Sequence, residues 1–298
     1  MNESPLISVV MPVFNGERFL SEAIESILNQ TYKNFEFLIV YDESSDNTLP
    51  IIQKYQANDK RIILINGDKA GISGALNIGI KESKGTYIAR MDADDVSLST
   101  RFEKQIKHMK SLELDICGGH SLLIDKDGKI NGLGVFPRSH DLCGLSMMFM
   151  VPFPHPAAMI RKSFLLDYSL EYFGKYEDFD LWARMFTLGA KFGNVDHIVI
   201  KYRFLDGSLS TIYARGARRF NRGVIKRFRV RHQKYLLDLI KHIDISLLSD
   251  GEKSLVARYV INRLYTRFDI FGLRKLKGIP LKIIIFTALS EIQRLVTI

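Results

Sequence analysis

With 298 residues, 46% of them hydrophobic and 25% charged, the chain has an ordinary globular composition and enough length for a sizeable core, in one domain or a domain with an appendage. Two cysteines, Cys117 and Cys143, exclude a disulfide framework or a cysteine metal cluster and read as small packed residues. The formal charge of +9 is concentrated: Gly207 to Leu237 contains no acid, while Arg215, Arg218, Arg219, Arg222, Lys226, Arg227, Arg229, Arg231 and Lys234 crowd that one segment.

Leu6 to Phe14 is a continuous apolar run, as expected of a strand buried on both faces. Glu17 to Gln30 carries Phe19, Leu20, Ala23, Ile24, Ile27 and Leu28 at helical spacing. Phe35 to Tyr41 reads as a second strand and Asp46 to Tyr55 as a second helix, with Asp46 as its cap and Pro50 confined to its first turn. A strand at Arg61 to Ile65, a helix at Gly71 to Lys84 and a strand at Tyr87 to Met91 follow. This alternation predicts an α/β fold with a Rossmann-like, mostly parallel central sheet flanked by helices, whose ligands lie beyond the carboxyl ends of the strands. Asn15, Asp42 and Asp92 each follow a strand, so they should open on one edge. Gly71, Gly74 and Gly79 fit neither G-x-G-x-x-G nor the Walker pattern, which argues against a dinucleotide oxidoreductase or a P-loop enzyme.

The fourth strand runs into Asp92-Ala93-Asp94-Asp95, three carboxylates in four positions, a costly arrangement without a positive partner. Hard carboxylate oxygens suit Mg²⁺ or Mn²⁺, and Asp92 and Asp94 can converge on one ion. The alternative is that Asp94 or Asp95 merely starts the next helix. Thr100-Arg101-Phe102-Glu103 has the form of a capping box opening a helix to about Ser111. Asp115 to Gly119 is strand-like, Asp127-Gly128 marks a hairpin, and Ser139 to Met150 is helical in pattern. The lost βα regularity predicts a mixed half, about 99–211, that receives a different ligand from the half at about 1–98. In Glu177 to Phe186, Leu181, Trp182, Met185 and Phe186 share one helical face, and the first-turn acids are either caps or catalytic carboxylates.

Several separated motifs agree on one family. Val10-Met11-Pro12-Val13-Phe14-Asn15, Glu25 to Thr31, Asp42 to Thr48, Ala75-Leu76-Asn77, Ile88 to Asp95, His155-Pro156, and Glu177-Asp178 with Leu181 and Arg184 occur in the order found in the family 2 glycosyltransferases. The chain resembles these inverting GT-A enzymes from about Leu6 to Thr211. The resemblance implies transfer of a sugar from a nucleoside diphosphate, UDP by preference, to an acceptor hydroxyl, with Mn²⁺ or Mg²⁺, on a glycan or glycolipid acceptor in bacterial surface-polysaccharide synthesis. It implies that Pro12, Phe14 and Asn15 line the nucleoside pocket and that Asp42 binds the base. It also implies that Asp92 meets ribose or metal, that Asp94 is the principal metal ligand and that Asp178 is the catalytic base. Arg90, His155 and Glu177 belong to the matched motifs. The pattern departs at Tyr41-Asp42, where relatives commonly have two aspartates, and at Tyr202-Arg203-Phe204-Leu205, where they often end in histidine. Arg203 and Ser208 are the candidates to replace that histidine's contact with the leaving group, the alternative being that each only holds a loop.

From about Ile212 to the end, the basic stretch gives way to amphipathic segments, and Leu281 to Ile298 is apolar with interspersed charges. No run approaches the roughly 18 apolar residues of a membrane span, and the N-terminus lacks a signal core. The expected location is therefore the cytoplasm, with this helical 212–298 region either in peripheral contact with an anionic inner-membrane face, packed on the catalytic part, or forming a homodimer contact. Nucleic acid is not an expected partner. The competing functions are a sugar nucleotidyltransferase, which would carry a glycine-rich basic loop where this chain has Phe14-Asn15-Gly16-Glu17, and a non-catalytic protein that binds anionic surfaces.

Overall fold

A computed structural model describes residues 4–174, 177–205, 214–267, 279–280 and 283–284. Strands β1 (Ile7–Val13), β2 (Phe35–Tyr41), β3 (Ile62–Asn66) and β4 (Tyr87–Arg90) lie in the order β3-β2-β1-β4, all parallel. Their residues alternate between two apolar layers because successive side chains leave a strand on opposite faces. Val10, Val40 and Ile88 pack on the side of α3 (Gly71–Glu82), and Val9, Met11, Ile39 and Ala89 on the side of α1 (Glu17–Leu28) and α2 (Thr48–Asn58). Pro50 does fall in the first turn of α2. Asp46 serves two helix starts: Oδ1 accepts from Thr48 N (3.0 Å) and Oδ2 from Glu17 N (3.0 Å).

The second half extends the same sheet but mixes its directions. It comprises β5 (Val96–Ser97), α4 (Arg101–Leu112), β6 (Ile116–Ile124), β7 (Ile130–Gly134), α5 (His140–Ser146), β8 (Met159–Arg161), α6 (Lys162–Asp167), α7 (Glu177–Thr187) and β9 (Phe192–Arg203). From β4 the order continues β8-β6-β9-β5, with β7 hairpinned onto β6. β8 runs antiparallel to both β4 and β6, so Arg90 at the end of β4 lies where the two halves join. Cys117 and Cys143 are buried and unpaired, as expected of packed residues.

The capping box at α4 does not form. Thr100 makes no side-chain cap bond, and Glu103 instead accepts from Thr31 Oγ1 (2.9 Å). Gln30 takes over the task, its Oε1 accepting from Phe102 N (3.2 Å) while Nε2 donates to Leu98 O (2.8 Å). A tertiary partner has replaced the local cap, and the Gln30-Thr31 motif ties α1 to the chain just after the acidic turn.

Two further helices, α8 (Ala214–His242) and α9 (Asp250–Arg267), join the core of the α3 side. Val224, Phe228, Leu236 and Ile240 of α8 are buried; Phe228 meets Phe186 of α7 with ring centroids 5.4 Å apart, and His232 Nε2 lies 3.0 Å from Thr187 Oγ1. The apolar face of α8 is thus used in packing, while Arg222, Lys226, Arg227, Arg231 and Lys234 are exposed. Among the described residues no helix is long and apolar enough to cross a membrane. Of the apolar stretch from Leu281 to Ile298, all but Ile283 and Ile284 lies outside the described residues.

Helix α9 is docked by Glu252. Ser249 and Glu252 form a reciprocal capping box (Ser249 N to Oε2, 2.9 Å; Glu252 N to Ser249 Oγ, 3.3 Å), and Arg138 donates Nη2 to the same carboxylate (3.0 Å). Burial pushes the Glu252 carboxyl up, but Arg138 and the Ser249 bonds outweigh it and hold it at about 2. A depressed carboxyl stabilises fully above its ordinary value of 4.5 and loses that contribution as pH falls through about 2. Because Arg138 is half-exposed, the contribution is about 1–2 kcal/mol. Glu252→Gln should therefore lower Tm by a few degrees at neutral pH. The gap from wild type should close as thermal scans move from pH 4.5 toward 2; a constant gap would remove the ion pair from the account.

Candidate active site

The acidic turn is built from β4 outward. Arg90 pairs with Val10 of β1, its N–H donates to Ala158 O (2.9 Å), and the chain then turns through Asp92-Ala93-Asp94-Asp95 into β5. One carboxylate oxygen from each aspartate lies within 4.8 Å of the others. No helix starts here, since α4 begins at Arg101, so these acids cap nothing. The buried Arg90 guanidinium pairs with Asp92, and that charge raises Arg90's pKa although burial opposes it. Burial and the charge of Asp92 push the Asp94 carboxyl up to about 6, against the pull of Arg90 and Arg203. Burial, then Asp92 and Asp94, raise Asp95 well above the carboxylate range. Asp95 Oδ2 is buried and has no hydrogen-bond partner among the described residues. Crowded oxygen ligands, raised carboxyls and an unpartnered oxygen all fit a small divalent cation.

Arg203 has a different place from the one expected of a nucleotide contact. It is buried behind the acidic turn, with Nε donating to Asp94 O (2.7 Å), Nη1 to Asp125 O (3.1 Å) and Nη2 to Glu22 Oε2 (2.6 Å). Its backbone N–H donates to Asp95 Oδ1 (2.7 Å), and its guanidinium lies over Phe19, 4.3 Å from the ring centroid. Every guanidinium nitrogen already serves the protein, so Arg203 holds the turn in place. Ser208 lies outside the described residues.

The loops after β1 and β2 are stitched together at the same edge. Asn15, with a left-handed φ of 49°, accepts with Oδ1 from Ser45 N (2.8 Å), and its own N–H donates to Ser44 Oγ (3.0 Å). Its side chain thus fixes the loop after β2. Pro12 is half-buried near the end of β1, and Phe14 beyond it is 64% exposed. Asp42 Oδ1 is buried without a partner among the described residues. A Cβ on Gly67 would stand 2.2 Å from that oxygen, which explains a glycine there. Gly16 brings the β1–α1 loop against the acidic turn, where its Cβ would lie 3.7 Å from Ala93 Cβ.

The second group of acids begins α7, anchored by buried Leu181, Trp182, Met185 and Phe186. Asp178 is half-buried, with Oδ1 accepting from Phe179 N (2.7 Å); burial, with Glu177 alongside, raises its carboxyl. Burial raises Glu177 too. His155 lies between Glu177 Oε1 (Nδ1, 3.3 Å) and the Tyr172 hydroxyl (Nε2, 3.1 Å). Burial and the positive charge of Arg90 lower its pKa to about 3, so it is neutral at physiological pH. The field of Arg90 reaches Asp92, Asp94, Glu177 and Asp178, so the acids from both halves share one cation. Asp95 is expected only as a member of the carboxylate cluster or a helix start, not as a ligand in its own right; Glu22, Asn77 and Tyr172 are not marked by residue type, and of these only Asn77 lies in a matched motif.

Residues 8–168 match the family described as Glycosyl transferase family 2, and the chain belongs to that family. It is 36% identical over 210 residues to an uncharacterized glycosyltransferase of Methanocaldococcus jannaschii, an alignment covering 67% of this chain and 71% of the relative. Two Escherichia coli proteins are each 32% identical. One is the UDP-Glc:alpha-D-GlcNAc-diphosphoundecaprenol beta-1,3-glucosyltransferase WfaP, over 206 residues, 69% of this chain and 80% of that one. The other is the O-antigen biosynthesis glycosyltransferase WbnJ, over 203 residues, 66% and 79%. Among solved structures, Staphylococcus aureus TarS 1-349 in complex with UDP-GlcNAc superposes with a TM-score of 0.59 at 17% identity, covering 93% of this chain and 82% of that one. That likeness establishes the GT-A fold, and the family establishes a glycosyltransferase.

The position of Arg203 yields a test. Arg203→Ala leaves Asp94 O and Asp125 O without their buried donor, and it should cost about 2–3 kcal/mol in urea denaturation. A variant of wild-type stability that had lost only UDP affinity would return Arg203 to the nucleotide.

Proposed function

We propose that the chain is an inverting, metal-dependent glycosyltransferase that moves a sugar from a UDP-sugar to an acceptor hydroxyl, on a lipid-linked glycan of surface-polysaccharide synthesis. The observation that carries this reading is the meeting, around buried Arg90, of the Asp92-Asp94-Asp95 carboxylates from one half with Asp178 from the other. Asp94 and Asp92 are the residues that would hold Mn²⁺ or Mg²⁺, with Asp95 behind them. When bound, the ion supplies positive charge against the diphosphate as it leaves.

On the donor side, the bare ring of Phe14 and the edge of Pro12 offer a surface for the nucleoside, and the carboxylate of Asp42, which is only half-buried, suits the imide N–H of uracil. Thymine presents the same edge. On the acceptor side, the carboxylate of Asp178 takes the proton of the attacking hydroxyl, whose oxygen bonds to the anomeric carbon as the bond to the diphosphate breaks. Attack opposite the leaving group inverts that centre. The raised carboxyl of Asp178 makes it a stronger base than an exposed aspartate, which favours this role. The names of WfaP and WbnJ support the lipid-linked, surface-polysaccharide setting for this chain.

The exposed basic face of α8 supports peripheral contact with an anionic inner-membrane surface on its cytoplasmic side, where a lipid-linked acceptor would be met. The apolar face, the other candidate for a homodimer contact, is used inside the chain. In flotation assays the protein should rise with vesicles containing acidic phospholipid, remain behind with neutral ones, and detach at high salt. Equal behaviour on both would end the membrane reading.

Incubation with a panel of nucleotide sugars and Mn²⁺ tests the function itself. Release of nucleoside diphosphate is expected; pyrophosphate would mean a sugar nucleotidyltransferase. Asp178→Asn should lower turnover at least about 100-fold while UDP still binds, and Asp94→Ala should abolish the Mn²⁺-dependent part of UDP binding. Wild-type turnover by Asp178→Asn would refute the base assignment.

A further inference from the structure

Two of the matched motifs, Ala75-Leu76-Asn77 and His155-Pro156, have no place in the metal, donor and base scheme, and the structure joins them through Tyr172. Asn77, on α3 of the nucleotide half, grips the backbone of Tyr172 from both sides: Oδ1 accepts from Tyr172 N (2.8 Å) and Nδ2 donates to Tyr172 O (2.9 Å). The Tyr172 hydroxyl lies 3.1 Å from His155 Nε2, and His155 Nδ1 lies 3.3 Å from Glu177 Oε1. The next residue is Asp178. Tyr172, His155 and Glu177 are all buried.

With Glu177 ionised and His155 neutral, one tautomer serves the whole chain: Tyr172 donates to Nε2 and Nδ1 donates to Glu177. The segment entering α7 is held twice more, by Ser73 Oγ donating to Gly174 O (2.5 Å) and Arg184 Nη2 donating to Glu171 O (2.7 Å). Arg184 is itself fixed by Asp180 (2.8 Å). A buried polar chain is a costly way to fill a core, but it fixes direction as well as distance.

We infer that Asn77, Tyr172 and His155 are positioning residues for Asp178, a chain of hydrogen bonds from the nucleotide half that sets the base against the donor. This rests on the reading of Asp178 as the base and goes beyond it. In-line attack needs the base and the donor's anomeric carbon in register, and α3 and α7 belong to opposite halves of the sheet. A displacement of about 1 Å between reacting groups lowers rates on the order of 100-fold.

The test uses the full chain, UDP with Mn²⁺ for binding, and whichever UDP-sugar of the panel the wild type turns over. Tyr172→Phe removes only the hydroxyl and keeps the ring against Trp182. It and Asn77→Ala should lower kcat about 10- to 100-fold while donor KM and the Kd for UDP stay within about 3-fold. His155→Gln, which keeps a donor for Glu177, should retain more kcat than His155→Ala. Should Asn77→Ala fail to fold, Asn77→Asp, which keeps the acceptor for Tyr172 N and loses the donor, gives the same readout. With Asp178→Asn inactive, wild-type kcat in Tyr172→Phe and the Asn77 variant, or a kcat loss matched by an equal loss of UDP affinity, would overturn the inference. Wild-type turnover in Asp178→Asn would overturn the parent reading, and this inference with it.

Discussion

Three carboxylates at the end of one short strand are the constraint that the rest of this site answers. They coexist because two buried arginines stand on either side of them, Arg90 before the turn and Arg203 behind it. Those two cations do not neutralise the group: Asp94 and Asp95 are still raised by burial and by each other. Ionising all three carboxylates together is therefore unfavourable, and a bound cation of the kind proposed above would relieve that cost.

Beneath the turn lies a polar framework that holds its backbone. Arg101 Nη2 donates to Arg90 O (2.9 Å) and Ala158 O (3.2 Å), and Arg101 Nε to Gln105 Oε1 (3.0 Å). Gln105 Nε2 in turn reaches Ala157 O (2.8 Å). These side chains bridge β4 to the segment carrying His155, across the seam between the parallel and mixed parts of the sheet. Buried polar groups of this kind add little net stability, but each is satisfied in one arrangement only, so together they fix where the acidic turn sits relative to the second half.

The parts of this architecture that repeat locally were legible in the sequence. The strand Phe35–Tyr41 has the bounds its apolar run gave, and Pro50 had only one position in which a helix could keep it. The acids at Asp92, Asp94 and Asp178 stood out because charge at a strand end or a helix start is conspicuous against an apolar run. What was not legible depends on partners distant in the chain. Thr100 and Glu103 have the letters of a capping box, but Gln30, 72 residues earlier, bonds the helix N–H instead. Arg203 is in sequence a candidate ligand contact because the motif departs at Leu205, with a loop-holding role as the alternative; the partners that decide for holding, Glu22 and the turn at Asp94 and Asp95, are distant in the chain. Tyr172 carries no motif at all, and only the fold brings it to His155.

The helices after residue 212 change meaning when the same reasoning is followed to α7. The N-terminal end of that helix is held through Glu177 and His155, and its C-terminal end by α8, through Phe186 against Phe228 and Thr187 against His232. A helix of 11 residues fixed at both ends has little freedom to tilt, and Asp178 in its first turn inherits that rigidity. The segment that looks like an appendage in sequence therefore belongs mechanically to the helix that carries Asp178. Since the outer face of α8 is basic and its inner face grips α7, a surface that engages the outer face presses on the element carrying Asp178 through one packed layer. On the proposed function, the face that would meet the acceptor's membrane and the face that holds the helix of the proposed base are opposite sides of α8.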